Sequence, residues 1–251
     1  MIKIENVVTP SPEQWMATIL GARNAMNSWA RSDSVVCTDR ETCEGCPCNT
    51  GNGCRERGLD PFVIGPNDHD LLMRLRNAGT DHRKYMRMLP VHVNVTAPLY
   101  IWKEMDQYKI GTTTNSCSTM HKIHAKEFVL DDFSHERLRS RESGDVLRNT
   151  IDTLNHLRNV YINGGALHFE VGDGRLDRVL YEPKSKDVWD EMIQLLPSSY
   201  NQMRTLMLNY EVLANIYKAR KGHRLIEWHE FCDFIERLPY SEFITGKVGE
   251  E

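Results

Sequence analysis

Residues 91–101 read Val91-His92-Val93-Asn94-Val95-Thr96-Ala97-Pro98-Leu99-Tyr100-Ile101. Valines at every second position, with polar residues between them, give the period-2 pattern of a half-buried strand. Pro98 then fixes the backbone for a helix running to about Tyr108. Upstream, Asn67 to Asn77 forms a compact helix ended by Gly79. Ile2 to Val8 reads as a short strand, and Ser11-Pro12 caps an amphipathic helix reaching about Trp29. Downstream, 109–121 (KIGTTTNSCSTMH) is a small, polar loop. Helices are predicted over about 145–162, 187–196, 199–221 (stopped by Gly222) and 225–238 (stopped by Pro239). Ala166 to Tyr181, alternating around Gly172-Asp173-Gly174, predicts a hairpin. The fold class is α+β, helix-dominated with a small sheet.

A chain of 251 residues can bury a substantial core, and the expectation is one domain over 1–251. Lys plus Arg total 31 against 35 Asp plus Glu, a formal charge of −4. That balance disfavours a duplex-DNA binder, which carries a basic excess, but leaves room for a local phosphate pocket. No apolar run reaches the roughly 20 residues of a membrane span. The opening MIKIENVVTPSPEQW lacks the apolar core of a secretory signal, so a cytoplasmic protein is expected.

Residues of about 31–60 stand apart as an insert poor in core-forming side chains. Five of the seven cysteines fall there: Cys37, Cys43, Cys46, Cys48 and Cys54. Outside a secreted framework, such a cluster points to zinc or an iron–sulfur cluster, with tight turns at Gly45, Pro47, Gly51 and Gly53. Free thiols in a plain loop are the other reading. Cys232, at helical spacing with Trp228, Phe231 and Ile235, is assigned to the core.

Between Lys109 and Lys122 the loop gathers Thr112, Thr113, Thr114, Asn115, Ser116, Cys117, Ser118, Thr119 and His121. Hydroxyls and amides flanked by cations suit a phosphate or nucleotide. Cys117 is a candidate nucleophile if His121 or Lys109 activates it. A solvated, hydroxyl-rich connection is the alternative.

The stretch from His82 to His121 resembles the flavin-dependent thymidylate synthases, the ThyX family. His82 falls at the family's His, and VHVNVTAPLYI matches its strand and helix start. Glu104 falls where the family has Gln, Gln107-Tyr108-Lys109 where it has Arg-His-Arg, Cys117 on its Ser, and Thr119 on its final Arg. Leu196-Pro197, followed after eleven residues by Asn209, repeats a further family spacing, and Asn209 is expected on the long helix. Glu211 stands where the family has Arg. The likeness spans roughly 1–30 and 62–240, leaving the cysteine insert aside.

The resemblance implies an enzyme of pyrimidine deoxynucleotide metabolism. It would move a one-carbon unit from methylenetetrahydrofolate to C5 of a deoxyuridylate-like substrate, with FAD and NADPH supplying reducing equivalents. Cys117 and Lys109 would be catalytic. Glu104, Gln107, Asn115, Ser118, Thr119, His121 and Arg204 would bind substrate, with Lys109 and His121 on its phosphate. His82, Tyr108 and Asn209 would hold the cofactor. A homotetramer is implied, with sites shared between subunits. The competing reading is a regulatory nucleotide-binding protein that kept the fold and lost the flavin chemistry.

Overall fold

The computed structural model describes residues 2–36, 62–170, 172 and 174–247. The five insert cysteines, Cys37 to Cys54, lie outside the described residues, as does their predicted metal. In chain order the elements are β1 (Lys3–Val8), α1 (Pro12–Arg23), β2 (Val35–Val36), β3 (Phe62–Val63), α2 (Pro66–Asn77), β4 (Pro90–Pro98), α3 (Leu99–Met105), β5 (Thr113–Ser116) and α4 (Thr119–Lys122). They continue with α5 (Arg141–Asn163), β6 (Gly165–Glu170), β7 (Leu176–Tyr181), α6 (Lys186–Leu195), β8 (Asn201–Asn209), α7 (Tyr210–Arg220), α8 (Ile226–Glu236) and α9 (Glu242–Thr245). One four-stranded sheet runs in the order β1-β4-β8-β5, and β2-β3 and β6-β7 form two-stranded ribbons.

The chain divides into two compact units, as far as their residues are described. One comprises Met1–Lys3, Thr96–Asp106 and Ser116–Arg204; the other comprises Ile4–Val95, Gln107–Asn115 and Thr205–Glu251. The backbone passes from one unit to the other within β1, β4, β5 and β8 and between Asp106 and Gln107.

In the first unit, α5 starts at Ser140, whose hydroxyl accepts the Ser143 amide, and ends at Gly164 with φ +73°. Leu147, Ile151, Leu154, Leu157 and Val160 recur at helical spacing and bury one stripe against Val188 and Met192 of α6. The predicted hairpin is present, with Gly165 opposite Tyr181 and Glu170 opposite Leu176.

In the second unit, Val91, Val93 and Val95 of β4 are fully buried while His92 is exposed, so the alternation was a sound strand signal. Trp15 of α1 anchors an aromatic cluster, with Tyr210 edge-on at 5.5 Å and Tyr240 at 5.2 Å. Cys232 is buried beside Trp228, Phe231 and Ile235, as expected of a core residue.

Three expectations need correction. The predicted helix over 199–221 is a strand to Asn209 and a helix only from Tyr210. Gln202, Leu206 and Leu208 bury alternate positions of β8 while Met203 and Thr205 are exposed, so the sheet overrides the helix preference of Gln, Met, Arg and Leu. Asn209 therefore ends a strand and caps α7, instead of lying inside a long helix. The loop over 109–121 contains the edge strand β5 and the short helix α4. Finally, α1 stops at Arg23, not Trp29. The Arg23 guanidinium donates to the carbonyls of Ser28 (3.2 Å) and Arg31 (3.0 Å), winding 24–31 around itself in 3-10 turns.

Candidate functional site

Cys117 follows β5. Its amide donates to the Met203 carbonyl at 3.0 Å, and its carbonyl accepts from Gln202 Nε2 at 2.9 Å. Backbone bonds on both sides fix the residue while its side chain stays exposed and outside any disulfide. Gln202 passes the order on, since its Oε1 accepts from Arg204 Nε at 2.9 Å. Arg204 Nη1 donates to Asp106 at 2.7 Å, and the guanidinium lies 4.4 Å from the Trp102 ring centroid. Trp102 Nε1 donates to the Gln202 carbonyl at 2.9 Å. Arg204, expected to bind substrate, gives one donor to Gln202 and one to Asp106, and through Gln202 it supports the backbone of Cys117. Glu104, half-buried on α3, belongs to the same unit. Ser118 accepts the His121 amide at 3.0 Å and so caps α4, which carries Thr119. His121 lines a pocket with His124 and Tyr161.

The second unit holds the remaining candidates. Tyr108 Oη accepts from Arg220 Nε at 3.0 Å, and the Arg220 guanidinium also lies 4.7 Å from the Trp228 ring. Asn209 Oδ1 accepts the Val212 amide at 3.0 Å, and its Nδ2 faces the Gly111 carbonyl at 3.5 Å. Gly111 has φ +81°, and a Cβ there would come within 2.7 Å of Asn209 Nδ2, so glycine is required for this approach. Close by in sequence, Thr112 Oγ1 is buried with no hydrogen-bond partner among the described residues. Gln107, Lys109 and Asn115 are exposed. His82 lines a cavity of about 460 Å³ with Gly21, Ala22, Leu75, Tyr85 and Met88, and Asp81 and Lys84 add polar groups.

Glu211, where the resemblance places an arginine, is buried and accepts from Arg83 Nε at 3.3 Å and from Arg87 Nε. Arg83 also donates to Asn215 at 2.9 Å. Burial pushes the Glu211 carboxyl up, but the hydrogen bonds and charges of Arg87 and Arg83 outweigh it and hold it below the ordinary range. Glu211→Gln is expected to cost about 2 kcal/mol, because two charge-assisted bonds become weak or unmade. Urea denaturation measures this, and a change under about 0.5 kcal/mol would mean that the cluster is an ordinary surface arrangement.

Sequence reasoning missed Gln202, Trp102, Asp106 and the partners of Glu211. The one available signal was the alternation Gln202-x-Arg204, hidden by the helix assignment. Among the described residues, no three His, Cys, Asp or Glu side chains form a group that could hold a metal ion. No helix among them is long and apolar enough to cross a membrane.

Neither the family models nor the sequences of curated proteins match this chain. Among solved structures it is similar to thymidylate synthase X (ThyX) from Helicobacter pylori with FAD and dUMP, at 13% identity, 98% coverage of both chains and a TM-score of 0.58. It is also similar to flavin-dependent thymidylate synthase ThyX from Helicobacter pylori complexed with FAD and dUMP, at 13% identity, 99% coverage of both and a TM-score of 0.56. The chain therefore has the helix-rich fold, with its small antiparallel sheet, of the flavin-dependent thymidylate synthases.

Proposed function

We propose that this chain is a flavin-dependent thymidylate synthase-like enzyme acting on dUMP or a related pyrimidine deoxynucleotide. The observation that carries the reading is the fold match over essentially the whole of both chains, to structures that hold FAD and dUMP. The residues here are compatible with such ligands. The His82 cavity, about 460 Å³ with apolar walls and a few polar groups, has the size and make-up of a cofactor pocket. His82 and Lys84 would hold the flavin there, and Thr112 Oγ1 is a buried hydroxyl with bonding capacity left over. FAD, when bound, supplies the reducing equivalents drawn from NADPH, and methylenetetrahydrofolate is the proposed one-carbon donor.

This chain's own contribution centres on Cys117. Its Sγ would add to C6 of the pyrimidine, the C5=C6 π pair moving onto the C4 carbonyl oxygen as an enolate. The nucleophilic C5 so formed is where a one-carbon unit joins. Loss of the C5 proton then returns the electron pair and expels the thiolate from C6. The two electrons and proton drawn from NADPH through FAD would break the bond from the new carbon to the folate nitrogen, leaving a methyl group on C5 and releasing tetrahydrofolate. Thr119, in the same unit as Cys117, would meet the nucleotide, and Arg204 and Gln202 would hold the backbone of Cys117.

A second reading is favoured by the internal pairing of the arginines. Glu211 takes Arg83 and Arg87, and Asp106 takes Arg204, so these cations are partly neutralised. This suits a protein that binds a nucleotide without turning it over. NADPH oxidation in the presence of FAD separates the two. The enzyme reading predicts oxidation that depends on dUMP; nucleotide binding with no such oxidation supports the second reading.

A further inference from the structure

Tyr200 stands just before β8, two residues ahead of the Gln202 side chain that holds the Cys117 carbonyl. Its own backbone is fixed on both sides. The Tyr200 amide donates to the Pro197 carbonyl at 3.0 Å, and its carbonyl accepts the Leu99 amide at 3.0 Å. An antiparallel bridge joins it to Phe133. The ring is held as well, edge-on to Phe133 at 5.6 Å and to Phe128 at 6.3 Å. Both phenylalanines are buried, so packing and backbone bonds, not the hydroxyl, set where the phenol lies. Cys117, Phe128, Phe133 and Tyr200 all belong to the first unit.

The hydroxyl itself is available. Tyr200 is half-buried, and among the described residues its Oη makes no hydrogen bond. A tyrosine hydroxyl taken out of water ordinarily finds a partner. Two acidic groups act on this one: Asp132, which is paired with Lys126, and Cys117. Burial first, and then the charges of Asp132 and Cys117, push the phenol above its ordinary value. It therefore keeps its proton at neutral pH and serves there as a donor, not a base. A donor beside a thiol favours the thiolate, because a hydrogen bond to the charged form stabilises that form.

We propose that the Tyr200 hydroxyl donates a hydrogen bond to Cys117 Sγ, making Tyr200 the positioning residue that turns this exposed cysteine into a nucleophile. The bond favours the thiolate as it adds to C6 and again as it is expelled from C6. No proton leaves the phenol in either step. The use of the thiolate on a pyrimidine rests on the proposed function, while the activation of the thiol stands apart from it.

The test is the rate at which iodoacetamide alkylates Cys117 in the full chain, read by mass spectrometry of the peptide that carries it, so that the remaining cysteines do not contribute. Tyr200→Phe removes the hydroxyl and keeps the ring against Phe128 and Phe133, and its urea midpoint should match that of the parent. Alkylation at pH 7 is expected to slow roughly tenfold in this variant, the loss of one charge-assisted hydrogen bond. The midpoint of the alkylation pH profile should move up by about one unit, which a merely structural role would not produce. An unchanged rate and midpoint in Tyr200→Phe overturns the inference, whatever turnover does. Alkylation that depends on Tyr200, in a chain without dUMP-dependent turnover, sustains the inference and counts against the proposed function.

Discussion

Asp68→Ala is expected to lower the stability of the chain by about 3–5 kcal/mol. The Asp68 side chain is fully buried against that of Arg23, itself 4% exposed, at 2.5 Å. It also accepts from Ser32 Oγ (2.8 Å), Ser34 Oγ (2.6 Å) and the amides of Asp33 (3.1 Å) and Ser34 (3.0 Å). The variant leaves a guanidinium in the interior with its counter-charge gone, and releases the segment from Ser32 to Ser34. Chemical denaturation measures the loss; a cost under about 1 kcal/mol would mean that water replaces the carboxylate without difficulty.

The same carboxylate gives the stability a pH dependence. Burial pushes the Asp68 carboxyl up, but hydrogen bonds from Ser34, Ser32, Arg23 and the Asp33 amide outweigh it and hold it below its ordinary range. A folded-state value below the unfolded one means that the stabilisation is complete above about pH 4 and is lost as pH falls through the folded value. Glu211 acts with the same sign. The urea midpoint should therefore drop on acidification below about pH 4, and drop less steeply in Asp68→Asn.

Cys117→Ala is expected to reduce turnover of the pyrimidine nucleotide by a factor on the order of 10³ or more, with the affinity for dUMP changed little. The asymmetry follows from the geometry. The position of residue 117 is set by its backbone, through Met203 and Gln202, so removing the thiol leaves the loop in place. Cys117→Ser should recover little, because a hydroxyl is a far weaker nucleophile at neutral pH. Comparing kcat with the Kd for dUMP decides the matter. Turnover within about twofold of the parent would remove Cys117 from the chemistry and leave it a loop residue.

Much of the fold was legible because its signals are local. The valine alternation at 91–95 marked β4, the apolar stripe from Leu147 to Val160 marked α5, and Ser11-Pro12 marked the start of α1. What was misread depends on distant partners. Gln202 to Asn209 carries side chains that favour helices, and only its place between β4 and β5 makes it a strand. Thr113 to Ser116 is exposed throughout, so no apolar pattern could announce an edge strand. Candidate site residues were named by type, but their partners were not. Arg204 meets Asp106 across 98 positions, and Arg83 meets Glu211 across 128. No spacing rule reaches that far, so these pairings could not be read from the sequence.

The proposed function requires that this chain bind both flavin and a pyrimidine nucleotide. It is tested most directly by the visible absorption spectrum of the chain after loading with FAD and removal of unbound flavin, recorded before and after adding dUMP. A retained flavin band that shifts when dUMP enters is expected, with a weaker band in His82→Ala. A colourless protein after removal of unbound FAD would contradict it, leaving a nucleotide-binding protein on a flavin-enzyme fold.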